Sequence, residues 1–319
     1  MKISIGAEIK EGPFGGGNSF IKNITKYLNL SGHTVVHDLK DKDIDVALLI
    51  NPLLTSETST FSNYDIDYYQ KFINPNLISI QRINECDERK QTNNVNKQIV
   101  KNNKNIDFNF FVSAWIRGVY KDTDLYKKPY KVIMGGPDNE IFNNKELIKL
   151  NSNEKIRIVT HHWSSNYLKG FDIYKQLDEL LITSEWGSKL EFTYIGNLSD
   201  DIIFKKTQVI PPLEEVQLAN ELKNHHIYIT ASRNEPSGNH HMEGAMVGLP
   251  ILYLKSGAIP EYCNGFGVEF TESTFLESLK IIINDHSIYA NNLKNYPYSF
   301  DHTFQQIMES INFLIKNRK

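Results

Sequence analysis

Glu235-Pro236-Ser237-Gly238-Asn239-His240-His241-Met242-Glu243 is the stretch whose surroundings decide how this chain folds. An apolar run, Ile227 to Ala231, precedes it and a second opens at Pro250, so the order is strand, loop, helix, strand. Ser237, Gly238 and Asn239 open a short helix that Gly248 can close. Free backbone N–H groups and the helix dipole favour an anion at such a start, and open α/β sheets bind ligands outside the carboxyl ends of their strands. Two carboxylates flanking a phosphate site point to recognition of hydroxyl groups.

Outward from this stretch the same rhythm repeats. In the second half Ile156 to Thr160, Glu191 to Ile195, Gln208 to Ile210, Ile227 to Ala231 and Ile251 to Leu254 read as strands. Helical patterns at Phe171 to Thr183, Leu213 to Leu222 and Thr274 to Ile283 separate them. The first half carries Ile3 to Gly6, Val46 to Ile50, Leu77 to Ile80, Phe108 to Val112 and Lys131 to Met134 as strands, with a crossover helix over Ser19 to Leu30. Alternation of this kind specifies two parallel sheets. The polar segment Asn143 to Glu154 suits a hinge. The expected domains are therefore 1–148, 149–300 and a terminal helix, 301–319, whose stripe Phe304, Ile307, Ile311 and Leu314 would dock back on the first domain.

The chain of 319 residues has a formal net charge of -3 and no long basic block, which gives no sign of a nucleic-acid binder. No apolar run approaches the roughly 20 residues of a membrane span, and the N-terminal apolar segment is too short for a signal peptide. The expectation is a cytoplasmic protein, with peripheral membrane contact left open. Cys86 and Cys263 belong to no metal-type cluster and read as ordinary thiols. The Asn/Lys-rich stretch Lys90 to Lys104 reads as a mobile surface loop or a solvated helix.

Three further segments bear on chemistry. Gly12-Pro13-Phe14-Gly15-Gly16-Gly17-Asn18-Ser19 joins the first strand to the first helix; it is either a backbone cradle for a ligand or a flexible turn. Lys169-Gly170 follows the first strand of the second half, where the ammonium either reaches a diphosphate or is a solvated charge. Ser256 to Glu261 could add backbone donors after the next strand. The pairs His161/His162, His225/His226 and His240/His241 raise a metal reading, with His240 and Glu243 three apart on one helix face. It is set aside because adjacent histidines point to different sides of a strand or helix.

Taken together these residues resemble the GT-B glycosyltransferases, most closely the large retaining family 4. The resemblance rests on Lys169-Gly170, Ser232 to Gly238, Glu243-Gly244-Ala245-Met246, Gly248-Leu249-Pro250 and Gly257 to Glu261, with the two glutamates at the family's E-x7-E spacing. Gly15 to Gly17, Val112 to Trp115 and Val132 to Asp138 look like its first-domain marks, so nearly the whole chain is covered. It implies two Rossmann-like domains with parallel sheets facing across a cleft, acceptor in the first and nucleotide-sugar donor in the second. The acceptor would be a glycan, a lipid-linked group or another hydroxyl compound, as in polysaccharide biosynthesis. By resemblance Glu235 contacts the donor sugar and Glu243 the ribose diol. Lys169, the backbone of Ser237, Gly238, Asn239 and His240, and that of Gly16 and Gly17 would neutralise the diphosphate. Configuration would be retained by front-face attack, with no metal and no other cofactor.

The chain departs from the family's pattern at two places. The arginine usual five residues before the lysine is Ser164, so a phosphate cation is missing unless Arg233 replaces it. The usual first-domain histidine is not evident. Its region runs Gln81 to Arg89, where Arg82, Asn84 and Asp87 either face sugar or acceptor or form a capped loop. Two alternatives to transfer follow: a nucleotide-sugar binding module without turnover, and a nucleotide-sugar epimerase or hydrolase on the same architecture.

Overall fold

A computed structural model describes residues 1–12, 15–50, 57–151 and 153–318. Pro13 and Phe14 of the glycine loop and Ser152 of the polar segment lie outside the described residues. The chain forms two compact units, Met1–Gly135 with Asp301–Lys319, and Gly136–Phe300.

The first unit holds β1 (Lys2–Ile5), β2 (Thr34–Val36), β3 (Val46–Leu49), β4 (Ile78–Ile83), β5 (Phe108–Phe111) and β6 (Tyr130–Val132). All pair in parallel, in the order β2-β1-β3-β4-β5-β6. β3 is buried along its whole length, as a strand covered on both faces must be. The helix Gly16–Leu30 buries Phe20, Ile21, Ile24 and Leu28. The helix Phe300–Asn317 buries Ile307 and Ile311, and Thr303 Oγ1 donates to the Met134 carbonyl at 2.9 Å.

The second unit holds β7 (Ile156–His162), β8 (Leu190–Gly196), β9 (Gln208–Ile210), β10 (Ile227–Thr230), β11 (Ile251–Leu254) and β12 (Gly267–Phe270). The parallel order β12-β11-β10-β7-β8-β9 is the doubly wound arrangement in which the chain starts at the middle, winds to one edge, then returns to wind to the other. The reversal falls between β7 and β10. Its core joins Ile158, Phe171, Tyr174, Leu177, Phe192, Ile229, Leu252 and Phe270.

Three differences from the sequence-based expectations have physical causes. The units divide at Gly135 and Gly136, not at 148 and 149, because the following residues pack on the second unit: Phe142 is buried and Ile148 N donates to Lys223 O at 3.2 Å. The stretch from Lys90 to Lys104 contains the helix Val95–Asn102, whose Val95 and Ile99, one turn apart, are buried against Ile83 and Phe111. Two edge strands, β2 and β12, had no clear sequence signal: the first has only three residues, and Glu269 interrupts the second. Among the described residues no helix is long and apolar enough to cross a membrane.

Beneath the second sheet, burial lowers the pKa of His225 and His226 to about 4. His226 Nδ1 accepts the Arg157 N–H at 3.0 Å, a bond that a proton on that nitrogen would break. Unfolded histidine titrates near 6.5, so between about pH 6.5 and 4 the unfolded chain binds more protons and folding stability falls with pH. The urea midpoint is therefore expected to be highest above pH 6.5 and to drop by pH 4.5. His226→Asn, which keeps an acceptor for Arg157 but cannot charge, should show a shallower drop; an unchanged slope would refute the assignment.

Candidate functional site

The site lies at the carboxyl ends of β7 and β10, where strand order reverses and the two following loops leave in opposite directions. After β7, Asn166 caps a single 3-10 turn, Tyr167–Lys169, by accepting the Leu168 N–H at 2.8 Å. Gly170 ends that turn at φ +94°, and a Cβ there would stand 2.4 Å from both Cβ and O of Ala231. Only glycine allows this approach, which turns Lys169 toward the loop after β10. Lys169 Nζ donates to Glu235 Oε2 at 2.7 Å, with the two side chains 11% and 7% exposed.

Glu235 is held by its own backbone as well as by Lys169. Asn234, at φ +52°, donates its N–H to Ser256 Oγ at 3.0 Å, and the Glu235 carbonyl accepts from Ala258 N at 2.8 Å. The segment Ser256 to Ala258 thus clamps the acid loop, a structural task beyond the donor role expected of it. The helix Asn239–Met246 follows Gly238, and no side chain caps its start. Ser237 Oγ accepts from the Tyr262 hydroxyl at 3.1 Å.

Glu243 sits on that helix, its carboxylate 2.7 Å from His161 Nε2 at the end of β7. Gly244 makes this reach possible: a Cβ there would be 2.5 Å from the Tyr228 ring, so the helix lies directly on the β10 tyrosine. Behind it, His240 Nε2 is 2.8 Å from Thr230 Oγ1 and His162 Nε2 is 2.8 Å from the Tyr174 hydroxyl. Burial and the neighbouring histidines hold His240 well below the usual imidazole range, and burial lowers His241 to about 3. These rings form a polar wall beneath the acids.

The structure thus gathers Lys169, Glu235, Ser237, Gly238, Asn239, His240 and Glu243 on two neighbouring loops and one helix. Arg233 has other partners. Its guanidinium binds Asp172 fork-on at 2.9 and 2.6 Å and Glu272 at 2.6 Å. Ser164 Oγ itself accepts from Asn166 N at 3.2 Å.

In the first unit Gly16 and Gly17 form the first turn of the helix Gly16–Leu30, whose N-cap Gly15 supplies no side-chain cap. Arg82 is buried on β4 with its guanidinium 4.1 Å from the Phe20 ring centre, and Asn84 is half-buried just beyond that strand. Asp87 serves as a cap: its carboxylate accepts Val95 N at 2.9 Å, Asn96 N at 3.0 Å and Thr92 Oγ1 at 2.5 Å. Burial would raise its pKa, but these bonds outweigh it and hold the carboxyl below the usual range. A side chain so engaged anchors the helix Val95–Asn102, the capped-loop alternative of the two read from the sequence.

His161 and Tyr228 are the site residues that sequence reasoning missed. The sequence offers His161 only as one of three histidine pairs, with a hydrogen-bonding or packing role and no named partner, and Glu243 lies too far along the chain for any spacing to reveal.

Neither a family model nor a curated protein sequence matches this chain. Solved structures do. A glycosyltransferase from Rickettsia africae is similar at TM-score 0.70 and 14% identity, over 99% of each chain. The catalytic domain of starch synthase IV from Arabidopsis thaliana, bound to ADP and acarbose, is similar at TM-score 0.71 and 11% identity, also over 99% of each. HepE from Anabaena, in complex with UDP and glucose, gives 0.68 and 12%, over 98% of this chain and 99% of its own. The fold these comparisons define is GT-B.

A buried ion pair is destabilised far more by losing one member than by losing both. Lys169→Met is therefore expected to lower unfolding free energy by about 3 kcal/mol. Adding Glu235→Gln should restore most of it in urea titrations, and simple additivity of the two losses would show that the residues are not coupled.

Proposed function

We propose that this protein is a retaining glycosyltransferase that moves a sugar from a nucleotide-sugar donor to a hydroxyl acceptor, without a metal. The observation that carries it is the pairing of one base with each acid, Lys169 with Glu235 and His161 with Glu243, at the reversal of strand order. The nucleotide complexes of starch synthase IV and HepE support it by likeness of fold.

In this mechanism Glu243 takes the ribose diol, since a carboxylate accepts two hydroxyl hydrogen bonds well. Glu235 orients the donor sugar. An ammonium has three donors, so Lys169 can keep Glu235 with one and reach the diphosphate with another. The uncapped start of the helix Asn239–Met246 adds backbone N–H groups and the positive end of its dipole. Charge developing on the departing phosphate is stabilised there, and that phosphate takes the acceptor's proton as the new glycosidic bond forms on the same face. The protein supplies position and charge. A glycan or other hydroxyl compound would be the acceptor, met by the first unit, and the cytoplasm the compartment.

One observation favours a binding module without turnover: Ser164 leaves Lys169 as the cation that this loop offers, and Arg233 is engaged elsewhere. Incubation of UDP-sugars and ADP-sugars with hydroxyl acceptors separates the readings. Transfer supports the main proposal; stabilisation without turnover supports the module; hydrolysis or isomerisation supports an epimerase or hydrolase. Thermal shift with the same compounds should show a rise, because they bind the native state alone.

Glu243→Ala is expected to weaken nucleotide binding by about 2 kcal/mol, roughly thirtyfold in Kd. Glu235→Gln should mainly lower kcat, with little change in nucleotide Kd. Activity is expected to survive a chelator. Equal and negligible effects of the two substitutions would remove the basis of the assignment.

A further inference from the structure

We infer that His161 is a positioning residue that presents the Glu243 carboxylate to the ribose, with Tyr228 fixing which imidazole nitrogen carries the proton. This rests on the reading of Glu243 as the ribose ligand. A carboxylate only accepts, so the 2.7 Å contact requires the proton on His161 Nε2. The opposite nitrogen, Nδ1, is 3.1 Å from the Tyr228 hydroxyl. That hydroxyl oxygen also accepts the His161 backbone N–H, at 3.1 Å. The hydroxyl oxygen is nearer to Nδ1, at 3.1 Å, than to the His161 carbonyl, 3.4 Å away, so Nδ1 is the better placed acceptor for its proton. Tyr228 therefore favours the form with Nδ1 as acceptor and Nε2 as donor, which is the form that grips Glu243.

The ring has no freedom to swing away. It meets Tyr228 edge-on, with centroids 5.6 Å apart, and its own backbone is tied to the same hydroxyl. Its side chain and that of Glu243 are each only 10% exposed. A flexible glutamate that must be ordered by its ligand loses affinity to that ordering; one already oriented does not. Gly244 contributes by letting the helix rest on the Tyr228 ring, so β7, β10 and the helix bearing Glu243 meet at this imidazole.

The test compares ribose with deoxyribose. UDP, ADP and GDP, each beside its 2′-deoxy and 3′-deoxy counterparts, are titrated by calorimetry into the full chain and its variants. The diphosphate that binds is expected to lose at least roughly tenfold in affinity on removal of a hydroxyl. Glu243→Ala should bring that ratio near one. His161→Ala should reduce it to within about threefold on the same scale. His161→Gln, which restores an N–H donor, should keep most of the ratio, and Tyr228→Phe should fall between. If His161→Ala does not fold, His161→Phe keeps the ring volume without the donor and takes its place.

A purely structural effect of His161 would weaken ribose and deoxyribose forms alike and leave the ratio intact. That result, with Glu243→Ala still abolishing the ratio, overturns the role of His161 alone. An unchanged ratio in Glu243→Ala, or no binding of any diphosphate, overturns the ribose assignment and the positioning role with it. A Tyr228→Phe ratio equal to that of the unaltered chain would refute the part given to the tyrosine.

Discussion

Two buried acids each need a base, and the second unit is arranged so that each finds one. Glu235 and Glu243 follow β10, whereas Lys169 and His161 follow or end β7. Those strands are neighbours in the sheet although far apart in sequence, because the winding reverses between them. Removing a carboxylate from water without a partner is costly, so the pairing constrains strand order, the close approach at Gly170 and the contact of Gly244 with Tyr228 together. The same pairs hold both acids oriented beside the start of the helix Asn239–Met246.

The aromatic and histidine layer beneath the acids serves that arrangement. Thr160, Thr230, Tyr174 and Tyr228 each meet a buried imidazole, of His161, His162 or His240. Burial keeps His240 and His241 neutral in the physiological range. In the first unit the comparable economy is structural. Asp87 and Arg82, both candidates for ligand contact, are engaged by a helix start and an aromatic ring. The GT-B fold extends over nearly the entire chain at 11% to 14% identity.

Much of this was legible before any coordinates. Apolar runs alternating with helical periodicity specified two parallel sheets, since buried parallel strands are continuous apolar stretches and their crossovers carry the 3.6-residue period. Glu235, Glu243 and the helix start between them are legible as candidates because loop, helix and glycine stop are local features. Lys169 is legible for the same reason: it precedes a glycine directly after a strand. The sequence by itself therefore determined the class of fold and nominated the acids of the candidate site.

Tertiary structure alone decided the partners. That Lys169 meets Glu235, that His161 meets Glu243, and that Arg233 turns to Asp172 and Glu272 depends on which strands lie side by side, a long-range choice that no local spacing encodes. It also decided where the units divide, because the residues after Gly135 pack by contacts with Lys223 and its surroundings, distant in sequence. Periodicity reports which face of an element is apolar; it does not report which other element will cover that face, and the pairing of acids with bases follows from the second fact.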